Sequence, residues 1–367
     1  MTLQTWAIGR PKTDLDTPAL LVDLPTMQRN LDRMARYMRD AGVGWRPHTK
    51  AIKTPAIAHM LLRAGAHGVT CAKLGEAEVM AAGGIRDILI ANQVVGDQKI
   101  ARLVNLLPHA DVIVAVDSEV NVRALDAASR EKGVRLRVLI EVNTGMNRAG
   151  VEPGDPVVRL ARTIHGCEGL RFAGVMGWEA HAIRITDPAE KRRAIEQAVG
   201  LLADSAERCR RADLPVDIVS CGGTGTYMIT ARVPGITEIQ AGGGIFGDVL
   251  YRTRMGVDHE YALTVLATVT SRPTPTRVIC DAGKKTMSSD AAPPEPIGLA
   301  HVTSVALSAE HAKLELSEPD ASLRVGDKLE FVVGYSDTTV CLHDELYGVR
   351  DGRVEIVWPL LGRGKLR

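Results

Sequence analysis

Between about residues 26 and 255 the chain repeats one pattern eight times: a short run rich in β-branched residues, then an amphipathic helical stretch. The runs are VGWRPH (43–48), GVTCA (68–72), DILIA (87–91), VIVAV (112–116), RVLIEV (137–142), FAGVMGW (172–178), DIVSCGG (217–223) and TEIQAGG (237–243). The intervals carry helix signals of their own. LDRMARYMRD sets Leu31, Met34 and Met38 on one helical face. Asp187 followed by Pro188 predicts the N-cap and first position of the long helical stretch that comes next. Parallel neighbours need a crossover, which a helix supplies, so strand–helix alternation implies a parallel sheet. Eight repeats predict an α/β protein with a closed (β/α)8 TIM-type barrel rather than an open sheet.

After about residue 256 the helical intervals stop. EYALTVLATVTSRP, TRVICDAG, HVTSVALS, AKLELSE, DKLEFVVGY and TTVCLHDELYGVRDGRVEIVWPL all read as strands, with RDGR (350–353) as a hairpin turn. The expected organisation is an N-terminal strand region (1–25) available to the β domain, a barrel (26–255) and a C-terminal antiparallel β domain (256–367). Composition narrows the class. A net charge of +1 over 367 residues gives no electrostatic case for nucleic acid or an anionic membrane. The opening MTLQTWAIGRPKTDLDTP has no apolar signal core, and no apolar run is long enough to span a bilayer. Cys71, Cys167, Cys209, Cys221, Cys280 and Cys341 are scattered without a CxxC pair, as expected of reduced thiols in a cytoplasmic protein.

Active sites of α/β barrels lie at the C-terminal ends of the strands. Here those ends carry His48, Thr49 and Lys50; Asn92 and Gln93; Asn143 and Arg148; Trp178, Glu179 and His181; CGGTGTY (221–227); and AGGGIFGD (241–248). The two glycine clusters suit an anion, because glycine lets backbone N–H groups approach phosphate oxygens. An amine at the same rim suggests a Schiff base with a carbonyl substrate or with pyridoxal phosphate. Lys50, at the end of the first run, is the candidate; Lys53 reads as a solvated residue at a helix start.

These segments, together with TPALLVDLPTMQRNLDRM, AKLGEAEVMAAGGIRDILIAN, NTGMNRAGV, CDAGKK and GRGK, resemble the fold-type III (alanine racemase-like) pyridoxal phosphate enzymes. The likeness is greatest to the branch of D-threonine aldolase, 3-hydroxy-D-aspartate aldolase and D-serine dehydratase, and it covers nearly the whole chain. It implies that Lys50 carries pyridoxal 5'-phosphate as a Schiff base, with His48 beside it. Arg148 is implied near the phenolic oxygen of the cofactor ring, and Trp178 stands where the family usually has a tyrosine. Gly222, Gly223, Thr224 and Gly225 correspond to one half of a phosphate cup, Gly242 and Gly243 to the other, with Tyr227 following the first. A homodimer acting on a small amino-acid substrate is also implied.

Departures from the family pattern bear on the metal. Tyr335 stands where a ligating histidine is usual, while Asp337 keeps a carboxylate. A neutral phenol is a poor divalent ligand beside imidazole, so the expectation is no tight zinc and, if an ion is used, weak Mg2+ or Mn2+ at Asp337 with Tyr335 beside it. His343 and Asp344 read as structural. The preferred activity is aldol cleavage of D-β-hydroxy-α-amino acids, with His181 as a candidate base. A dehydratase, which gains more from a Lewis acid on the leaving oxygen, and a racemase or epimerase are the alternatives.

Overall fold

The computed structural model describes residues 4–367. Strands are numbered in chain order, the first being β1 (Ala19–Asp23). The chain divides into two compact units. One comprises residues 34–50, 55–242 and 364–367; the other comprises the segment up to Arg33, Ala51–Thr54 and Gly243–Arg363.

The first unit is the barrel. Its strands are β2 (Gly44–Trp45), β3 (Val69–Cys71), β4 (Asp87–Gln93), β5 (Asp111–Val116), β6 (Leu136–Glu141), β7 (Leu170–Met176), β8 (Ile218–Cys221) and β9 (Glu238–Ile239). All neighbours are parallel, in the order β2-β9-β8-β7-β6-β5-β4-β3. A parallel bridge between His48 and Thr70, with the Thr70 N–H donated to the Pro47 carbonyl at 2.9 Å, joins the ends of that order and closes the barrel. All eight predicted runs are therefore barrel strands. Asp187 caps the helix Pro188–Arg211 by accepting from the Glu190 N–H at 2.7 Å. Leu31, Met34 and Met38 are buried along one face of the helix Leu24–Ala41.

The barrel interior is layered along the strands. Register aligns Asp87 with Asp111 and Leu89 with Ile113, and Ile113 with Arg137, so residues two apart on each strand face inward together. At the N-terminal end the layer is ionic. Arg46, 2% exposed, meets Asp87 at 2.5 Å and Glu238 at 3.0 Å; His67 meets Glu238 at 2.9 Å, and Arg137 meets Asp111 at 2.8 Å. Burial alone would raise the Glu238 carboxyl, but His67 and Arg46 outweigh it and hold it below its ordinary value. Above this lies an apolar plug of Leu89, Ile113, Ala115, Leu139, Ala173 and Met176. At the C-terminal end the inward positions turn polar again, with Glu141 two residues beyond Leu139 and Gln93 at the end of β4. That third layer is the floor of the rim.

The second unit is antiparallel apart from one pairing. Its strands are β1, β10 (Leu263–Thr274), β11 (Arg277–Cys280), β12 (Glu295–Pro296), β13 (Val302–Leu307), β14 (Ala312–Leu316), β15 (Lys328–Val332), β16 (Glu345–Arg350) and β17 (Arg353–Pro359). β1 lies between β10, antiparallel, and β16, parallel. The β16–β17 hairpin turns at Asp351 (φ 49°) and Gly352 (φ 74°), the double positive φ of a tight turn whose twist matches its strands. One segment corrects the sequence expectation. Ser336–Thr339 is helical and continues as a 3-10 turn over Val340–Leu342, although TTVCL reads as strand. The buried Asp248 carboxylate accepts both the Ser336 N–H and its hydroxyl at 2.9 Å, so a tertiary contact fixes the turn against local β propensity.

Candidate active site

Lys50 lies in a 3-10 turn, Thr49–Ala51, that follows β2. It is half-buried, and its backbone N–H is donated to His48 Nδ1 at 3.3 Å. His48 itself extends the barrel edge, donating its N–H to the Gln240 carbonyl at 2.9 Å and bridging Thr70. Gly242, after β9, packs against this backbone so closely that a Cβ would fall 2.2 Å from the His48 carbonyl oxygen. Only glycine lets the β9 loop and the lysine-bearing turn come together there.

The loop after β8 is gripped from β7. Gly222 adopts φ 77°, a conformation that favours glycine, and a Cβ on Gly223 would lie 2.3 Å from the Trp178 ring. Trp178 therefore lies on the Gly223 backbone. The adjacent residue, Glu179, is 1% exposed; its Oε1 accepts the hydroxyls of Thr226 and Thr230, each at 2.6 Å, and its carboxyl also accepts the Gly222 N–H. Burial raises the Glu179 carboxyl, against these donors. The Gly223 N–H is donated to Thr226 Oγ1 at 3.1 Å. The N–H groups of Gly222 and Gly223 are thus used inside the protein. Those of Gly225 and of the buried Gly242 are donated to no protein acceptor among the described residues. Thr224 is buried, and the Tyr227 ring packs edge-on against Tyr37 at 5.3 Å.

Across the rim, Arg148 and Trp178 line one small cavity with Glu141, Asn143 and Thr144. Arg148 Nη2 lies 3.4 Å from Glu141 Oε1, and Gln93 donates to Glu141 Oε2 at 2.6 Å. Glu141 is nearly buried, so its charge is directed at Arg148 rather than screened by water. Asn143 shapes the Arg148 loop by accepting the N–H groups of Gly145 and Asn147. His181, exposed on the turn Ala180–Arg184, lies over that loop: a Cβ on Gly145 would be 3.1 Å from its ring. The structure thus gathers Arg148, Trp178, His181 and Gly222–Gly225 about neighbouring strand ends. It adds Glu141, which the sequence hides within the run RVLIEV, and gives Glu179 a definite set of contacts.

In the second unit a Cβ on Gly243 would be 2.7 Å from the Tyr251 hydroxyl and 3.4 Å from Asp337 Oδ1. Tyr335 donates its hydroxyl to Asp337 Oδ2 at 2.6 Å, and burial together with the Asp337 charge pushes that phenol far above its ordinary value. His343 is engaged by the Thr286 carbonyl at 2.8 Å, and burial holds its imidazole below its ordinary value. Among the described residues no three His, Cys, Asp or Glu side chains gather as a cation seat. A phenol that keeps its proton and spends it on Asp337 Oδ2 is not itself a donor to Mg2+ or Mn2+.

The residues do fit an anionic carbonyl cofactor in the barrel: a strand-end amine, an arginine braced by a buried carboxylate, and glycine backbone crowded where any Cβ would intrude. The chain belongs to the family described as "Alanine racemase, N-terminal domain", whose model matches residues 22–249; a second model, of a serine dehydratase domain, matches residues 262–349. It is 35% identical to a D-threonine aldolase of an Arthrobacter species, over 97% of this chain and 95% of that protein. It is 34% identical to a 3-hydroxy-D-aspartate aldolase of Paracoccus denitrificans, over 97% and 94%. The crystal structure of D-threonine aldolase from Filomicrobium marinum superposes with a TM-score of 0.95 at 36% identity, covering 98% of this chain and 99% of that one.

Proposed function

We propose that this protein is a pyridoxal phosphate-dependent carbon–carbon lyase that cleaves D-β-hydroxy-α-amino acids to glycine and an aldehyde. The observation that carries the reading is the near full-length similarity to aldolases in both sequence and fold, joined to a rim with a strand-end lysine and two glycine loops. When bound, the cofactor supplies an electron sink conjugated to the substrate's Cα. Lys50 would hold the cofactor through its side-chain amine, with His48 ordering the turn that presents it. The N–H groups of Gly225 and Gly242 would hold the cofactor's phosphate, with Gly222, Gly223, Thr224, Gly243 and Tyr227 shaping the two loops. Trp178 covers the loop after β8. Arg148, aimed by Glu141, would supply positive charge to the cofactor ring.

His181 would take the proton of the substrate's β-hydroxyl as the Cα–Cβ bond breaks and release it to solvent, and a proton taken up from solvent at Cα completes glycine. No step is assigned to a cation; Tyr335 spends its proton on Asp337 Oδ2. We read the protein as a cytoplasmic homodimer. Among the described residues no disulfide joins any of its six cysteines and no helix is long and apolar enough to cross a membrane. The test offers purified protein D-threonine, D-3-hydroxyaspartate, D-serine and their L-isomers, with and without chelator. The expected products are glycine and aldehyde from the D-isomers, undiminished by chelation. Keto acid and ammonia in their place would make the enzyme a dehydratase.

A further inference from the structure

We propose that Glu179 is the positioning residue that gives the β8 glycine loop its affinity for phosphate. The inference rests on the cofactor reading above. Trp178 and Glu179 are consecutive, and both grip one loop: the indole lies on Gly223, and the carboxylate gathers Gly222, Thr226 and Thr230. The contacts form a chain. Thr226 has one hydroxyl proton and two acceptors within reach, Glu179 Oε1 at 2.6 Å and the Gly223 carbonyl at 3.3 Å, and the shorter contact takes it. With its proton given to Glu179, Thr226 turns a lone pair to the Gly223 N–H, at 3.1 Å. The N–H groups of Gly222 and Gly223 are thereby drawn inward, and the next part of the loop, with the unengaged Gly225 N–H, is left to face a ligand.

A buried carboxylate is a costly way to satisfy two threonines, since burial penalises its charge. What it alone provides is acceptor capacity for every one of these donors at once. Glutamine has the same shape but must turn its NH2 toward at least one of them, replacing an acceptor with a donor. The loop loses its fixed geometry while the strands beneath it stay in place. Glu179 touches no reacting atom in this account, so its effect falls on the phosphate end of the cofactor and not on imine formation at Lys50.

Apo protein is titrated separately with pyridoxal phosphate and with pyridoxal, following the visible imine band, and borohydride trapping confirms Lys50 as the site. Glu179→Gln is expected to weaken pyridoxal phosphate binding about 10-fold while pyridoxal binding changes by less than about 2-fold. Thr230→Val, which removes one donor and leaves the carboxylate, is expected to weaken pyridoxal phosphate by about 3-fold with the same selectivity. Inorganic phosphate should compete with pyridoxal phosphate less effectively in both variants than in the unmodified protein. Equal weakening of both aldehydes, or no change in either, overturns the inference while leaving the cofactor reading intact. Should Glu179→Gln not fold, an unchanged pyridoxal phosphate to pyridoxal ratio in Thr230→Val overturns it equally. Failure of the unmodified protein to form an imine at Lys50 overturns both.

Discussion

Glu141 decides how Arg148 is presented. Arg148 is about half exposed, and a side chain that long loses little by swinging into solvent unless a fixed anion holds it. Glu141 is that anion, itself fixed by Gln93 at 2.6 Å. Glu141→Gln should cut turnover about 10-fold and shift the visible cofactor band, with Arg148→Ala having the larger effect on both. Parallel spectra and rates would check this, and an unaltered Glu141→Gln spectrum would remove Glu141 from the site. Lys50 makes the sharper case. Its replacement by alanine should abolish borohydride-stable labelling and lower activity by at least about 10³-fold, whereas a label found on Lys53 or Lys284 would displace it. The sequence exposes Lys50 and Arg148 because charged residues beside strand ends stand out from their apolar context. It conceals Glu141, whose inward direction depends on register, and the Tyr335–Asp337 hydrogen bond, which depends on side-chain placement.

At the scale of elements, glycines decide how near two loops can come. A methyl group at Gly242 would fall 2.2 Å from a backbone oxygen of His48, and backbone cannot swing aside as a flexible side chain would. Gly242→Ala should therefore cost about 1–3 kcal/mol, displace the turn bearing Lys50 and weaken cofactor binding. Melting and cofactor titration together check it; lowered stability with unchanged binding would mean that the turn had not moved. The same elements show what a sequence discloses. DILIA and VIVAV are buried on both faces in a barrel covered by helices, so their unbroken apolar runs mark them as strands without alternation. TTVCL carries an equally strand-like composition and is helical, because Asp248 lies 88 positions away in sequence and captures Ser336. The two-residue β12 is too short to leave a periodic signal at all. Local pattern is legible where the local pattern sets the burial, and illegible where a distant polar contact does.

At the scale of the whole molecule, buried carboxyls set opposing limits on the pH range of stability. Glu238 is held below its ordinary value, so its contribution is present above about pH 4.5 and is lost as pH falls through its folded value. Asp248 works the other way. It is fully buried, and burial pushes its carboxyl from 3.8 up to about 7, against the N–H groups of Ser336 and Tyr251. The folded state then binds the proton more tightly than the unfolded chain. Asp248's contribution is complete below about pH 3.8 and is lost as pH rises through about 7. Between those limits the difference amounts to roughly 4 kcal/mol at most. Asp248→Asn isolates this effect, because asparagine is neutral throughout and every other titrating group is common to both proteins. Its amide must place an NH2 near one of the donors that Asp248 now accepts, at a cost independent of pH. The offset between the two melting temperatures is therefore uninformative, and its slope with pH carries the information. From pH 4 to about pH 7 the variant should gain on the unmodified protein by several degrees, and the gain should level off by pH 8. A constant difference across that range would show that Asp248 keeps the same charge in the folded and unfolded states, ionised by the donors that surround it.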